Sequence, residues 1–188
     1  IMENCDHEDV NISNCVINLS PSKHKVFEEI YRLLKSHGRF VISDIVSDKE
    51  VPEDMQADEK LWGECVSGAV TQQNLMNIAR NAGFYGVSME HDYVWKEAKG
   101  IKFSSITFRG WKFTKSKECV YIGQYAIYKG PFQKVSDDDG HTYPIGEPVE
   151  VCTDTVLKLT NPPYTGDFLI VDSSKKGDVI IECGPKCC

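Results

Sequence analysis

From residue 10 to 19 apolar positions crowd together (Val10, Ile12, Val16, Ile17, Leu19) with little before them. A strand that apolar is buried on both faces, which predicts flanking strands in a parallel sheet. Ser20 and Pro21 then read as a helix N-cap and first-turn proline. Val26, Phe27, Ile30, Leu33 and Leu34 recur at helical spacing until Gly38 stops the helix. Residues 39–46, Arg-Phe-Val-Ile-Ser-Asp-Ile-Val, form a second buried strand. Strand, crossover helix, strand is one right-handed unit of a doubly wound sheet. Such a sheet ordinarily opens with a strand, a glycine-rich turn and a helix that cradle a nucleotide. No such turn follows a strand here, so the chain reads as the second half of an α/β domain whose first half lies outside it.

Past Asp48 the pattern changes. Val51-Pro52-Glu53 opens a polar helical stretch that sets Leu61 and Cys65 one turn apart on a shared face. A further helix runs from Thr71, with Leu75, Ile78, Ala79 and Ala82 on one stripe and Gly83 at its end. From Gly86 the signal is β: residues 87–95, 101–113 and 119–128 are rich in aromatic and β-branched side chains. Asp137-Asp138-Asp139-Gly140 is a hairpin turn, because it lacks the alternation and later glutamate of a calcium loop. Shorter strands follow near 149–151, 168–171 and 179–183, with a helical turn around 155–159. The expected division is an α/β domain over 1–100 and a smaller, mostly β domain over 101–188.

Composition narrows the partners. A net charge of −7 over 188 residues, with no clustered Lys/Arg stripe, argues against nucleic acid. Every apolar run is broken within ten residues by Asp, Lys or Glu. No membrane span or secretory leader is therefore read, and a cytoplasmic monomer is expected. Eight cysteines could suit a secreted disulfide framework, but the first hundred residues look core-forming, so reduced thiols are the better reading. A lone cysteine on a strand is usually a small hydrophobe. The five histidines are dispersed without ligand spacing and no Ser/His/Asp set emerges.

Several segments carry a resemblance that spacing alone does not. They are 9–21 around Asn14-Cys15-Val16-Ile17-Asn18, Tyr31-Arg32-Leu33-Leu34-Lys35, 38–46 with Ser43-Asp44, and Leu61-Trp62-Gly63-Glu64-Cys65. Together with 103–109 and 123–130 they resemble arsenite methyltransferase, an S-adenosylmethionine-dependent family, over most of the chain. The resemblance implies the second half of a Rossmann-like class I methyltransferase sheet, followed by the β-rich domain. It implies that Cys15 and Cys65 hold trivalent arsenic as thiolates, that Gly63 and Glu64 border the arsenic pocket, and that Trp62 walls it. Softness agrees, since thiolate sulfur selects soft ions.

On the same footing Ser13 and Asn14 are expected to face S-adenosylmethionine at the carboxyl edge of the sheet, with Asn18 as a further candidate. The family takes a further cysteine and most cofactor contacts from an upstream region. This chain alone is therefore expected to be an incomplete enzyme of arsenic detoxification, with a reduced thiol such as glutathione or thioredoxin as co-reductant. Cys183, Cys187 and Cys188 are candidate ligands for arsenic or, less suitably, zinc; a disordered reduced tail is the other reading. The competing function is a non-catalytic, thiol-rich module that sequesters a soft metal or metalloid.

Overall fold

The computed structural model describes residues 8–116 and 118–172. The chain divides into two compact units, Ile1–Lys112 and Phe113–Cys188.

The first unit runs β1 (Glu8–Asn14), a 3-10 turn (Ile17–Leu19), α1 (Lys23–Leu33), β2 (Leu34–Ser47), the short helices α2 (Glu53–Gln56) and α3 (Glu59–Gly63), α4 (Gln72–Asn81), β3 (Phe84–Ala98) and β4 (Ile101–Lys112). Its sheet has the order β1-β2-β4-β3. β1 and β2 are parallel, joined through α1 as the apolar pattern predicted, whereas β4 runs antiparallel to both β2 and β3. Phe27 from α1 meets Phe40 edge to face at 5.4 Å, and Phe40 in turn contacts Phe84 at 4.7 Å and Phe108 at 5.2 Å. Each such pair adds about 0.5–1.5 kcal/mol beyond its buried area, so this aromatic knot fixes α1 on the sheet. α4 follows its predicted stripe: Leu75, Ile78 and Ala79 are buried, and the Thr71 hydroxyl accepts from the Asn74 N–H to cap it.

Four expectations change. The run at 10–19 is not one buried strand: β1 stops at Asn14, is paired among the described residues with β2 alone and leaves Ile12 77% exposed, while the 3-10 turn carries Ile17 into the core. α1 is preceded by Ser22 rather than capped by Ser20, whose hydroxyl accepts from the Ser22 N–H. The helix ends at Leu33, well before Gly38, because Leu34 turns extended (φ −72°, ψ 146°) and buries its side chain completely as the first residue of β2. The division falls after Lys112 rather than near residue 100, because β4 pairs along its length with β2 and β3 and so completes the first unit's sheet.

The second unit holds β5 (Gln124–Tyr128), β6 (Lys134–Ser136), β7 (Thr142–Pro144), β8 (Pro148–Val151), α5 (Thr153–Thr160) and β9 (Phe168–Asp172). β5 lies between β8 and β9, antiparallel to both, and β6 and β7 form a hairpin. The hairpin turn is at Asp137 to Gly140 as predicted. The Asp137 carboxylate organises it by accepting from the N–H groups of Asp139 (3.1 Å) and His141 (2.8 Å) and from the Tyr143 hydroxyl (2.8 Å). Ala126, Tyr128, Tyr143, Val151 and Leu159 form the core. The predicted turn at 155–159 is a helix of 8 residues. The predicted strand at 179–183 and Cys183, Cys187 and Cys188 lie outside the described residues.

Candidate functional site

Two chain reversals bring the distant cysteines together. β1 ends, and Cys15 turns through a left-handed backbone (φ 51°) while its N–H stays bonded to the Ser43 carbonyl of β2 at 2.8 Å. Asp58 caps α3 by accepting from the N–H groups of Lys60 and Leu61. The helix then closes within 5 residues as Val66 and Ser67 donate back to the Leu61 carbonyl. Cys65 sits in that reversal with φ 59°. It therefore lies beyond the helix, not on a face shared with Leu61 as the sequence pattern suggested. A non-glycine residue in this region costs on the order of 1 kcal/mol. Across 50 residues of sequence, the Cys65 thiol donates to the Cys15 carbonyl at 3.2 Å.

A polar clamp holds this arrangement from beneath. Asp44, near the carboxyl end of β2, is 3% exposed; its carboxylate accepts from the N–H groups of Ile17 (3.0 Å), Asn18 (3.2 Å) and Ile45 (2.8 Å). The buried Asn18 amide donates to the carbonyls of Ile45 at 2.6 Å and Cys65 at 3.1 Å, tying the second cysteine's loop to the sheet. Gly68 makes the close approach possible: a Cβ there would stand 1.9 Å from the Asn18 carbonyl oxygen.

The thiols open into a cavity of about 260 Å³, walled by Asn14, Ser43, Asp44, Gly63, Glu64, Tyr93, Trp95 and Ser105. Glu64 is fixed by an ion pair with Lys96. Burial pushes the Cys15 thiol up, helped by the Asp44 charge and opposed by the Cys65 hydrogen bond. Cys65 is raised by burial first, then by Asp44 and Cys15. Burial also raises Asp44, against its three backbone N–H bonds and the Lys23 charge. The pair thus favours the neutral thiol. A soft cation bound by both sulfurs reverses that balance, since metal ligation favours the thiolate.

The cavity gathers Cys15, Cys65, Asn14, Gly63 and Glu64 from the residues expected to act together. Trp62, 39% exposed, is not among its lining residues; the aromatic wall is Tyr93 and Trp95, whose rings lie 6.3 Å apart on β3. Ser13 is half-buried opposite Ile42 in β1 and does not line the cavity either. Sequence reasoning missed Asp44, Ser105, Tyr93 and Trp95. Asp44 had a readable signal, because Ser43-Asp44 stands at the carboxyl end of a strand beside the end of β1, where ligands of open α/β sheets bind.

A family model described as a methyltransferase domain matches residues 2–83, and a domain of unknown function matches 115–184. The crystal structure of an arsenic(III) S-adenosylmethionine methyltransferase from Chlamydomonas reinhardtii is similar at TM-score 0.56 and 29% identity, covering 89% of this chain and 60% of that one. The fold is that of a class I S-adenosylmethionine methyltransferase, with a mixed sheet and few helices. Arsenite methyltransferase of Mus musculus is 37% identical over 88% of this chain, and that of Aquipseudomonas alcaligenes 31% identical over 94%. The chain is similar to these arsenite methyltransferases, and it spans about half the length of these relatives, 47% and 55% respectively. Among the described residues no helix is long and apolar enough to cross a membrane.

Proposed function

We propose that this chain carries the arsenic-holding part of an S-adenosylmethionine-dependent arsenite methyltransferase, with Cys15 and Cys65 as the two protein ligands of trivalent arsenic. One observation carries the reading: two thiols 50 residues apart meet at a single cavity, each presented by a left-handed residue. Capture proceeds by exchange. Each thiol proton leaves with an arsenic-bound hydroxyl as water, and an As–S bond replaces As–O. Arsenic keeps its lone pair, which is the nucleophile, so no general base is required.

The Asn18–Asp44 clamp holds the two sulfurs in register, and Glu64 with Lys96 borders the opening. S-adenosylmethionine, when bound, supplies an electrophilic methyl group on a sulfonium sulfur. The carboxyl edge of β1 suits such a neighbour, because exposed Asn14 opens into the same cavity as the thiols. Asn14, with Ser13 behind it, would contact the methyl donor from this side. Restraining two reactants in one orientation can contribute up to roughly 7–11 kcal/mol to such a transfer.

The test is titration of this chain with phenylarsine oxide, followed by tryptophan fluorescence, because Trp95 lines the cavity. Stoichiometric binding lost in both Cys15→Ser and Cys65→Ser is expected. Binding that survives both substitutions overturns the assignment.

A further inference from the structure

The second unit has a cavity of its own, about 170 Å³, that the arsenic chemistry does not use. Rings dominate its lining: Tyr128, Phe132, Tyr143, Tyr164 and Phe168. Phe168 is the hinge of the arrangement, standing at 74° to Tyr143 (5.1 Å), 87° to Tyr164 (6.4 Å) and 47° to Tyr128 (5.5 Å). Rings at such angles form a corner rather than a flat stack.

The deeper tyrosines have their hydroxyls engaged. Tyr143 donates to Asp137 at 2.8 Å, and the Tyr128 oxygen accepts from the Phe132 N–H at 3.4 Å. Phe132 lines the cavity with 66% of its surface exposed, an unusual placing for a phenylalanine.

Charge selects the occupant. The lining holds two carboxylates, Asp137 and Asp167, and no lysine, arginine or histidine. Asp137 shares its charge with His141 at 2.8 Å, whereas exposed Asp167 has no ion-pair partner among the described residues. An anion would meet repulsion, and a neutral apolar molecule would strip water from carboxylates without compensating them. A compact organic cation satisfies both features, because ring faces attract diffuse positive charge and exposed Asp167 completes the neutralisation. The volume is sufficient, since a cavity of about 150 Å³ accommodates benzene.

From this lining we infer that the second unit binds a small onium cation, a quaternary ammonium or sulfonium group, in the corner formed by Phe132, Tyr164 and Phe168 with Asp167 at the rim. Its lining shares no residue with the two-thiol cavity, and the inference does not depend on the arsenic reading.

Choline chloride and its uncharged isostere 3,3-dimethyl-1-butanol are the probes, titrated into the full chain while their methyl protons are followed by nuclear magnetic resonance. Saturable upfield shifts are expected for choline, from the ring currents of the corner. The neutral alcohol should bind about tenfold more weakly, the discrimination expected of a partly desolvated cation–π site. Phe132→Ala and Asp167→Asn change exposed side chains, and each should weaken choline by roughly fivefold with unchanged circular dichroism. An unshifted choline spectrum overturns the inference, as does equal binding of the alcohol, which would mark a merely apolar cleft. Choline affinity unchanged in both variants overturns it too.

Discussion

Cys152 in the second unit and the Cys15/Cys65 pair in the first are the same residue type put to opposite uses. Cys152 is fully buried, precedes α5 and rests its sulfur 3.3 Å from the Thr155 hydroxyl, behaving as a small core residue. Cys15 and Cys65 instead occupy left-handed turns at the open edge of a sheet, with a buried carboxylate beneath them. Burial alone would not separate the cases, since Cys65 is itself partly buried. Backbone conformation, a shared cavity and convergence across a long stretch of sequence do separate them.

The sharpest way to break the contrast is to exchange sulfur for oxygen at all three positions. Cys15→Ser or Cys65→Ser should cost phenylarsine oxide affinity at least about a hundredfold, the usual scale when a two-point attachment becomes one-point. Cys152→Ser should leave that affinity unchanged; a loss there would erase the distinction between the units.

Next in size is Gly68→Ala. A methyl group 1.9 Å from the Asn18 carbonyl oxygen forces the Cys65 loop away from the clamp. A loss of about 2 kcal/mol in stability is expected, checked by denaturant melts. The same variant should weaken arsenical capture more than it slows alkylation of either thiol singly.

Asp44→Asn sharpens the electrostatic half of the comparison. It removes a charge that raises both thiols while retaining one oxygen to accept from the Ile17 and Asn18 N–H groups. Iodoacetamide should therefore modify Cys15 and Cys65 severalfold faster at neutral pH, with Cys152 unaffected, as read by mass spectrometry of the labelled peptides.

The smallest effect belongs to the second unit. Hydrogen bonding to Asp137 raises His141, so its contribution to stability is complete below the ordinary imidazole value and fades as pH rises through the raised one. Burial pushes Asp137 up, but bonds from His141 and Tyr143 more than offset it and leave its pKa lowered. Its contribution is complete above the ordinary carboxylate value and fades as pH falls through the lowered one. Hydrogen exchange at the hairpin should show a plateau of protection between those limits, and His141→Gln should remove the alkaline decline alone.

Helices and strands with strong periodicity were legible in the sequence. The α4 stripe, the β2 run and the turn at Asp137 all stand where pattern and turn chemistry placed them. Boundaries failed where a local signal competed with packing. Gly38 looks like a helix stop, yet burial of Leu34 starts the strand earlier. The resemblance singled out Cys15 and Cys65, and the structure brings both to one cavity. Their surroundings were less so, because Tyr93 and Trp95 reach the cavity only through the pairing of β3 with β4, whose register shifts at His91/Tyr93 and Val94/Lys96. The aromatic corner was hidden for the same reason: the cavity's rings come from β5, the loop after it, β7, the loop after α5, and β9.

The left-handed backbone at Cys15 and Cys65 places folding and chemistry in competition for the same two codons. Glycine adopts these angles without steric cost and asparagine with little, so either should outlast cysteine when a randomised library is selected only for resistance to proteolysis. Selecting the same library for survival on a trivalent arsenical, in a cell that supplies the rest of the machinery, should return cysteine to both positions. The gap between the two enrichments would measure, in population terms, how much stability the chain forgoes to present its sulfurs.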